Sequence, residues 1–125
     1  MLKIGQLKSG DVISINDEGI MREGTVVDIS HEEHQALVNN GVQEFWFSQE
    51  EMFAVPLDES HLLKFGFIGE EVEDGYKYKK DSFRVLVPKK GDFSKIEMWW
   101  REDRRHFYTP LSVHEFQNLY LDMTK

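Results

Sequence analysis

The chain has 125 residues, 40% hydrophobic and 30% charged, with a net charge of −8, which is the size and composition of an ordinary globular domain with a core of its own. It has no cysteine, which excludes a disulfide framework, a thiolate-held zinc or iron–sulfur centre and a thiol nucleophile. No apolar run approaches the roughly 20 residues of a membrane span, and Met1-Leu2-Lys3-Ile4-Gly5 leads at once into polar residues; the expectation is a cytoplasmic protein without a membrane partner.

In chain order, residues 1–57 read as short strands separated by turns. Gly10-Asp11 introduces Val12-Ile13-Ser14-Ile15, and Asn16-Asp17-Glu18-Gly19 is a dense turn signal. Gly24-Thr25-Val26-Val27-Asp28-Ile29 and His34-Gln35-Ala36-Leu37-Val38 follow as β-branched or apolar runs. Asn39-Asn40-Gly41 offers the left-handed conformations that a tight hairpin demands, and Val42-Gln43-Glu44-Phe45-Trp46-Phe47 is the answering strand. Ser48 to Glu51 reads as one helical turn before a last strand, Met52 to Leu57. Five short strands in this order predict an SH3-like five-stranded barrel over 1–57.

From Asp58 the pattern changes, and 58–125 reads as an α+β unit. Asp58 is placed to N-cap a short helix, with Leu57 and Leu62 at the positions of a hydrophobic staple and Gly66 at its end. Four strands follow at Tyr76–Lys79, Phe83–Val87, Ile96–Trp100 and Arg105–Tyr108. Ser112-Val113-His114-Glu115 is a capping box, with Leu111 and Phe116 as its staple. Val113, Phe116, Leu119, Tyr120 and Met123 then recur at helical spacing. The fold class is mainly β with α+β character: a barrel, then a four-stranded antiparallel sheet with two short helices.

Three segments of the chain resemble a known group. Pro56-Leu57-Asp58-Glu59-Ser60-His61-Leu62-Leu63-Lys64-Phe65-Gly66-Phe67 resembles the P-L-T-E-E-x-L-L-K-x-G-F linker helix of small uncharacterised proteins from Bacteroidetes phages, prophages and mobile elements. Val113-His114-Glu115-Phe116-Gln117-Asn118-Leu119-Tyr120 is similar to the V-H-x-L-Q-N-L-Y signature of the same group, with Phe116 in place of Leu. Leu2-Lys3-Ile4-Gly5-Gln6-Leu7 resembles its L-R-I-G-N-L-V start. The resemblance implies a phage or mobile-element setting and carries no mechanism.

Catalytic and metal motifs fare poorly. His31-Glu32-Glu33-His34 has its histidines three apart in a turn, whereas a zincin helix needs them four apart. Glu115 is accounted for as the capping residue beside His114, and the glycines fall singly rather than in a phosphate loop. The chain is therefore expected to be no enzyme, with no cofactor and no metal site.

Binding features are stronger. Side chains alternate across a strand, so Tyr76, Tyr78, Phe83, Val85, Val87, Ile96, Met98, Trp100 and Phe107 share one apolar face. The opposite face collects Lys77, Lys79, Arg84, Leu86, Lys95, Glu97, Trp99, His106 and Tyr108. A basic face with aromatics suits single-stranded nucleic acid, with Trp99 and Tyr108 stacking on bases and Lys77, Lys79, Arg84 and Lys95 tracking phosphates. The competing reading is a face that is solvated, or covered by the acidic first half: residues 1–57 carry three basic and ten acidic residues, against twelve and thirteen in 58–125. The Phe45, Trp46, Phe47 cluster is a candidate aromatic groove of the barrel. The expected function is that of a non-catalytic accessory protein binding another macromolecule, a protein first, with nucleic acid as one alternative and an acidic DNA-mimic decoy as another.

Overall fold

The structure, a computed structural model, describes residues 2–125. The chain divides into two units, the first ending at Val55 and the second running Pro56–Lys125, so the division falls two residues before the expected one. Each is built on its own five-stranded antiparallel sheet.

In the first unit the strands are β1 (Val12–Asp17), β2 (Ile20–Ser30), β3 (Gln35–Asn39), β4 (Glu44–Ser48) and β5 (Met52–Phe53), in the order β4-β3-β2-β1-β5. The sheet is a curled half-barrel. The eleven-residue β2 shifts register against β3 between Val26 and Asp28, an extra residue of the kind that bends a strand and raises its twist. Alternation then does the sorting: Ile13, Ile15, Val26, Ala36, Val38, Phe47 and Met52 are buried, joined by Leu2, Ile4 and Leu7 from the opening segment. The expected helical turn is a 3-10 turn at Gln49–Glu51, with Ser48 and Glu51 forming a capping box. Gln49 reaches back to accept the Ile4 backbone N–H at 2.9 Å.

The β3–β4 hairpin turns where the Asn-Asn-Gly signal places it. Gly41 has a φ of +98°, a conformation that a side chain resists. The Asn39 Oδ1 accepts the Gly41 N–H at 2.7 Å and the Asn40 Oδ1 the Val42 N–H at 3.0 Å.

In the second unit, β6 (Ile68–Val72), β7 (Gly75–Lys80), β8 (Phe83–Val87), β9 (Ile96–Trp100) and β10 (Asp103–Phe107) follow one another across the sheet. The expected four-stranded sheet thus has a fifth member. β6 holds Glu70 and Glu71, which stand in an edge strand opposite Lys77 and Tyr76. The last strand also starts two residues earlier than expected, with Asp103 paired to Trp100.

Both helices form where their caps predict. α1 (Glu59–Lys64) is capped by Asp58, whose carboxylate accepts the His61 N–H at 3.2 Å. Burial would raise the Asp58 pKa, but hydrogen bonds from Ser60 and the His61 backbone hold it below the ordinary carboxylate value. α2 (Val113–Thr124) has the full Ser112–Glu115 box. Replacing Ser112 with Ala is expected to cost about 1 kcal/mol, because the first-turn N–H loses its acceptor; a denaturant melt measures it, and an unchanged midpoint contradicts the cap.

The helices cover the apolar face of the sheet. Tyr78, Phe83, Val85, Val87, Ile96 and Met98 are buried there with Leu57, Leu62, Phe67, Leu111, Val113 and Phe116. The Tyr78 hydroxyl donates to Glu59 Oε2 at 2.6 Å, tying α1 to the sheet, and burial beside that carboxylate pushes the phenol pKa up. Arg105 joins β10 to α2 through Asp103 at 2.9 Å and Asp122 at 3.2 Å. No helix among the described residues is long and apolar enough to cross a membrane.

Candidate functional site: the outer face of the second sheet

With one face of this sheet buried, strand register decides what the other presents. Two cross-strand rows result. One runs Ile68, Lys79, Arg84, Trp99, Arg104; the next runs Glu70, Lys77, Leu86, Glu97, His106. Tyr108 continues the second row's end of β10, 74% exposed, its ring nearly parallel to that of His106 with centroids 6.4 Å apart. Lys95 lies in the loop just before β9 and lines a shallow groove with Leu86, His106 and Tyr108. The sheet therefore carries Lys77, Lys79, Arg84 and Trp99 on one face, with Lys95 and Tyr108 beside it, just outside β9 and β10.

The rows also contain residues that sequence reasoning left out. Ile68 and Glu70 arrive with the unexpected strand β6. Arg104 arrives because β10 begins at Asp103; a last strand starting at Arg105 leaves it outside, whereas here it pairs opposite Trp99. Five cations thus lie on or beside the face, where Asp74 also lines the Lys95 groove, together with two carboxylates of the rows, Glu70 and Glu97.

Those carboxylates organise the charge. Glu70 lies 3.7 Å from both the Lys77 and the Lys79 ammonium. Glu97 lies 2.8 Å from His106 Nε2 and 3.6 Å from the Arg104 guanidinium. Arg84 donates instead to the backbone oxygens of Asp81 and Phe83, at 2.7 and 3.1 Å. The lysine pairs are long and solvated, and such pairs contribute only about 0–1 kcal/mol, so a phosphate can displace Glu70 from either lysine at little cost.

The aromatics differ in access. The Arg104 guanidinium sits 4.8 Å over the Trp99 ring, a cation–π contact. Any flat group stacking on that ring would have to displace Arg104 or leave it at the rim. Tyr108 is the open ring. It lies just past the end of β10, beyond His106 and away from Arg104, the cross-strand partner of Trp99, so it and Trp99 would meet different nucleotides.

The other candidate residues separate. Along β4, Phe47 is buried in the first unit's core, while Phe45 and Trp46 are 45% and 47% exposed. Phe45 lies opposite Val38 and Trp46 opposite Leu37, so they project to different sides of the sheet, and the three rings do not line one groove. The His31 to His34 segment is an exposed turn.

These features define a small mainly β protein of two antiparallel sheets with two helices. No family model matches the chain, and no curated protein or solved structure matches it either.

Proposed function

We propose that the protein is a non-catalytic accessory protein of a phage or mobile element that works by binding another macromolecule, and that the outer face of its second sheet takes single-stranded nucleic acid. The observation that carries this reading is the register itself: five cations, Trp99 and Tyr108 gathered on or beside the sheet face opposite the core. Phosphates would run along Lys77, Lys79, Arg84, Lys95 and Arg104 while bases stack on the rings. The setting rests on the motif resemblance at residues 56–67 and 113–120. The first unit supports an SH3-like architecture through its strand order, with a 3-10 turn immediately before a fifth strand that returns to β1.

Anisotropy of a labelled single-stranded oligonucleotide tests the face. Binding is expected at low salt and weakens as salt rises. Trp99→Ala should weaken it by roughly 1–3 kcal/mol, the usual worth of one base stacked on an aromatic ring. Absence of binding to both DNA and RNA at low salt removes this occupant. The first unit's ten acidic residues against three basic then favour the second reading, an acidic decoy that imitates DNA charge.

A further inference from the structure

The two sheets end in four edge strands, and an edge is a template for pairing with another chain unless something blunts it. Three are blunted: β5 is two residues long, β6 carries Glu70 and Glu71, and β10 reads Asp103-Arg104-Arg105-His106-Phe107. The remaining edge, β4, has Phe45-Trp46-Phe47 at its centre and pairs with β3 in unbroken register, with no charge, proline or bulge among these three.

The direction of its free backbone groups follows from the two ends of the ladder. The Asn40 N–H donates to the Gln43 oxygen and the Gln49 N–H to the His34 oxygen, each at 3.1 Å. Antiparallel alternation between those points gives Phe45 and Phe47 the bonds to β3. It turns the N–H and C=O of Glu44 and Trp46 outward. The Ser48 N–H, next in that series, is taken by the Glu51 carboxylate at 3.0 Å, which closes the edge at one end and leaves about four backbone hydrogen bonds to a docking strand, two at each outward residue.

Charge selects the occupant. Glu44 stands at the start of β4, Glu50 and Glu51 just beyond its end, and Glu32 and Glu33 in the turn that leads to His34. Of the unit's three basic residues, Lys8 is paired with Asp11 and Arg22 with Asp17. We infer that β4 is a docking edge for an extended segment of a partner protein, apolar at its centre and basic at both ends, which adds as a sixth strand beside Trp46. A second copy of this chain would bring the same acids against these and is disfavoured by repulsion. The surface belongs to the first unit and does not depend on the nucleic-acid reading.

The test uses the full chain and a set of labelled nine-residue peptides with Lys-Lys at each end and Val or Thr between, beside a matched set with Glu-Glu ends. Basic peptides should bind, weaken with added salt and lose at least tenfold in affinity to Trp46→Lys, which places a gatekeeper charge on the edge. Trp46→Pro removes an outward N–H that β3 does not use and should act alike, so the test stands if one variant fails to fold. Oligonucleotide anisotropy should be the same in wild type and both variants, which separates this edge from the sheet face. The proposal is overturned if no basic peptide binds at low salt, if the acidic set binds equally, or if Trp46→Lys changes nothing. It is overturned too by a concentration-dependent dimer in sedimentation that the same substitution breaks, since the occupant is then a second copy.

Discussion

Replacing Phe83 with Ala is expected to lower the stability of the second unit by about 3–5 kcal/mol, the usual cost of emptying a buried phenylalanine site. Phe83 is fully buried at the point where β8 meets the helix that closes the unit. Its ring lies 4.8 Å from that of Tyr120, 6.0 Å from Phe67, 6.4 Å from Phe116 and 6.5 Å from Trp100. Edge-on and offset contacts of this kind add to the area term, and no neighbour can rotate into the space without abandoning its own partners. Chemical denaturation followed by near-ultraviolet circular dichroism measures the loss. A cost near 1 kcal/mol would mean that the cluster collapses onto the gap and is not closely packed.

A comparable loss is expected from Gly75→Ala, although it adds only one carbon. Gly75 opens β7 after the Glu73-Asp74 turn with a φ of +147°, and a Cβ there would stand 2.2 Å from the Val87 carbonyl oxygen and 3.0 Å from that of Pro88. Both obstacles are backbone and cannot swing aside. The expected cost is about 3 kcal/mol, from strain and clash together. Gly41→Ala is the control: its φ is also positive, but nothing lies within 4 Å of the added carbon, so only the conformational cost of roughly 1–2 kcal/mol remains. Equal losses in the two variants would contradict the approach of Val87 to this turn.

What the residues reveal in advance depends on how local the signal is. The Ser112–Glu115 cap, the Asp58 cap and the Asn39-Asn40-Gly41 turn are each written within four residues, because side chain and backbone satisfy one another there. The parity of β7, β8 and β9 is equally legible, since Tyr78, Val85 and Met98 alternate with charged or half-buried neighbours. β6 is not legible. An edge strand buries little, and Ile68-Gly69-Glu70-Glu71-Val72 gains its place from Lys77 and Lys79 across the ladder rather than from its own composition. Arg104 escaped notice for a related reason. Its position opposite Trp99 depends on a turn of two residues, Arg101 and Glu102, where Arg101 takes a φ of +57°, and nothing in the Arg-Glu-Asp run marks that shift. The Phe45, Trp46, Phe47 cluster is the opposite case, since the alternation that sorted the second sheet already separates Trp46 from its neighbours.

The two sheets impose different timetables on folding. In the second unit every strand pairs with the one before it, and three of the four links span two residues, the fourth being the 88–95 loop. Closing such short loops costs little entropy, so the pairing within this sheet is local and its hairpins can assemble quickly. In the first unit β1 finds its second neighbour only in β5, after β2, β3 and β4 have been laid down. During synthesis β1, with Ile13 and Ile15 on its inner face, therefore stays an open edge until Met52 and Phe53 have emerged, and for that interval it is exposed to pairing with another nascent chain.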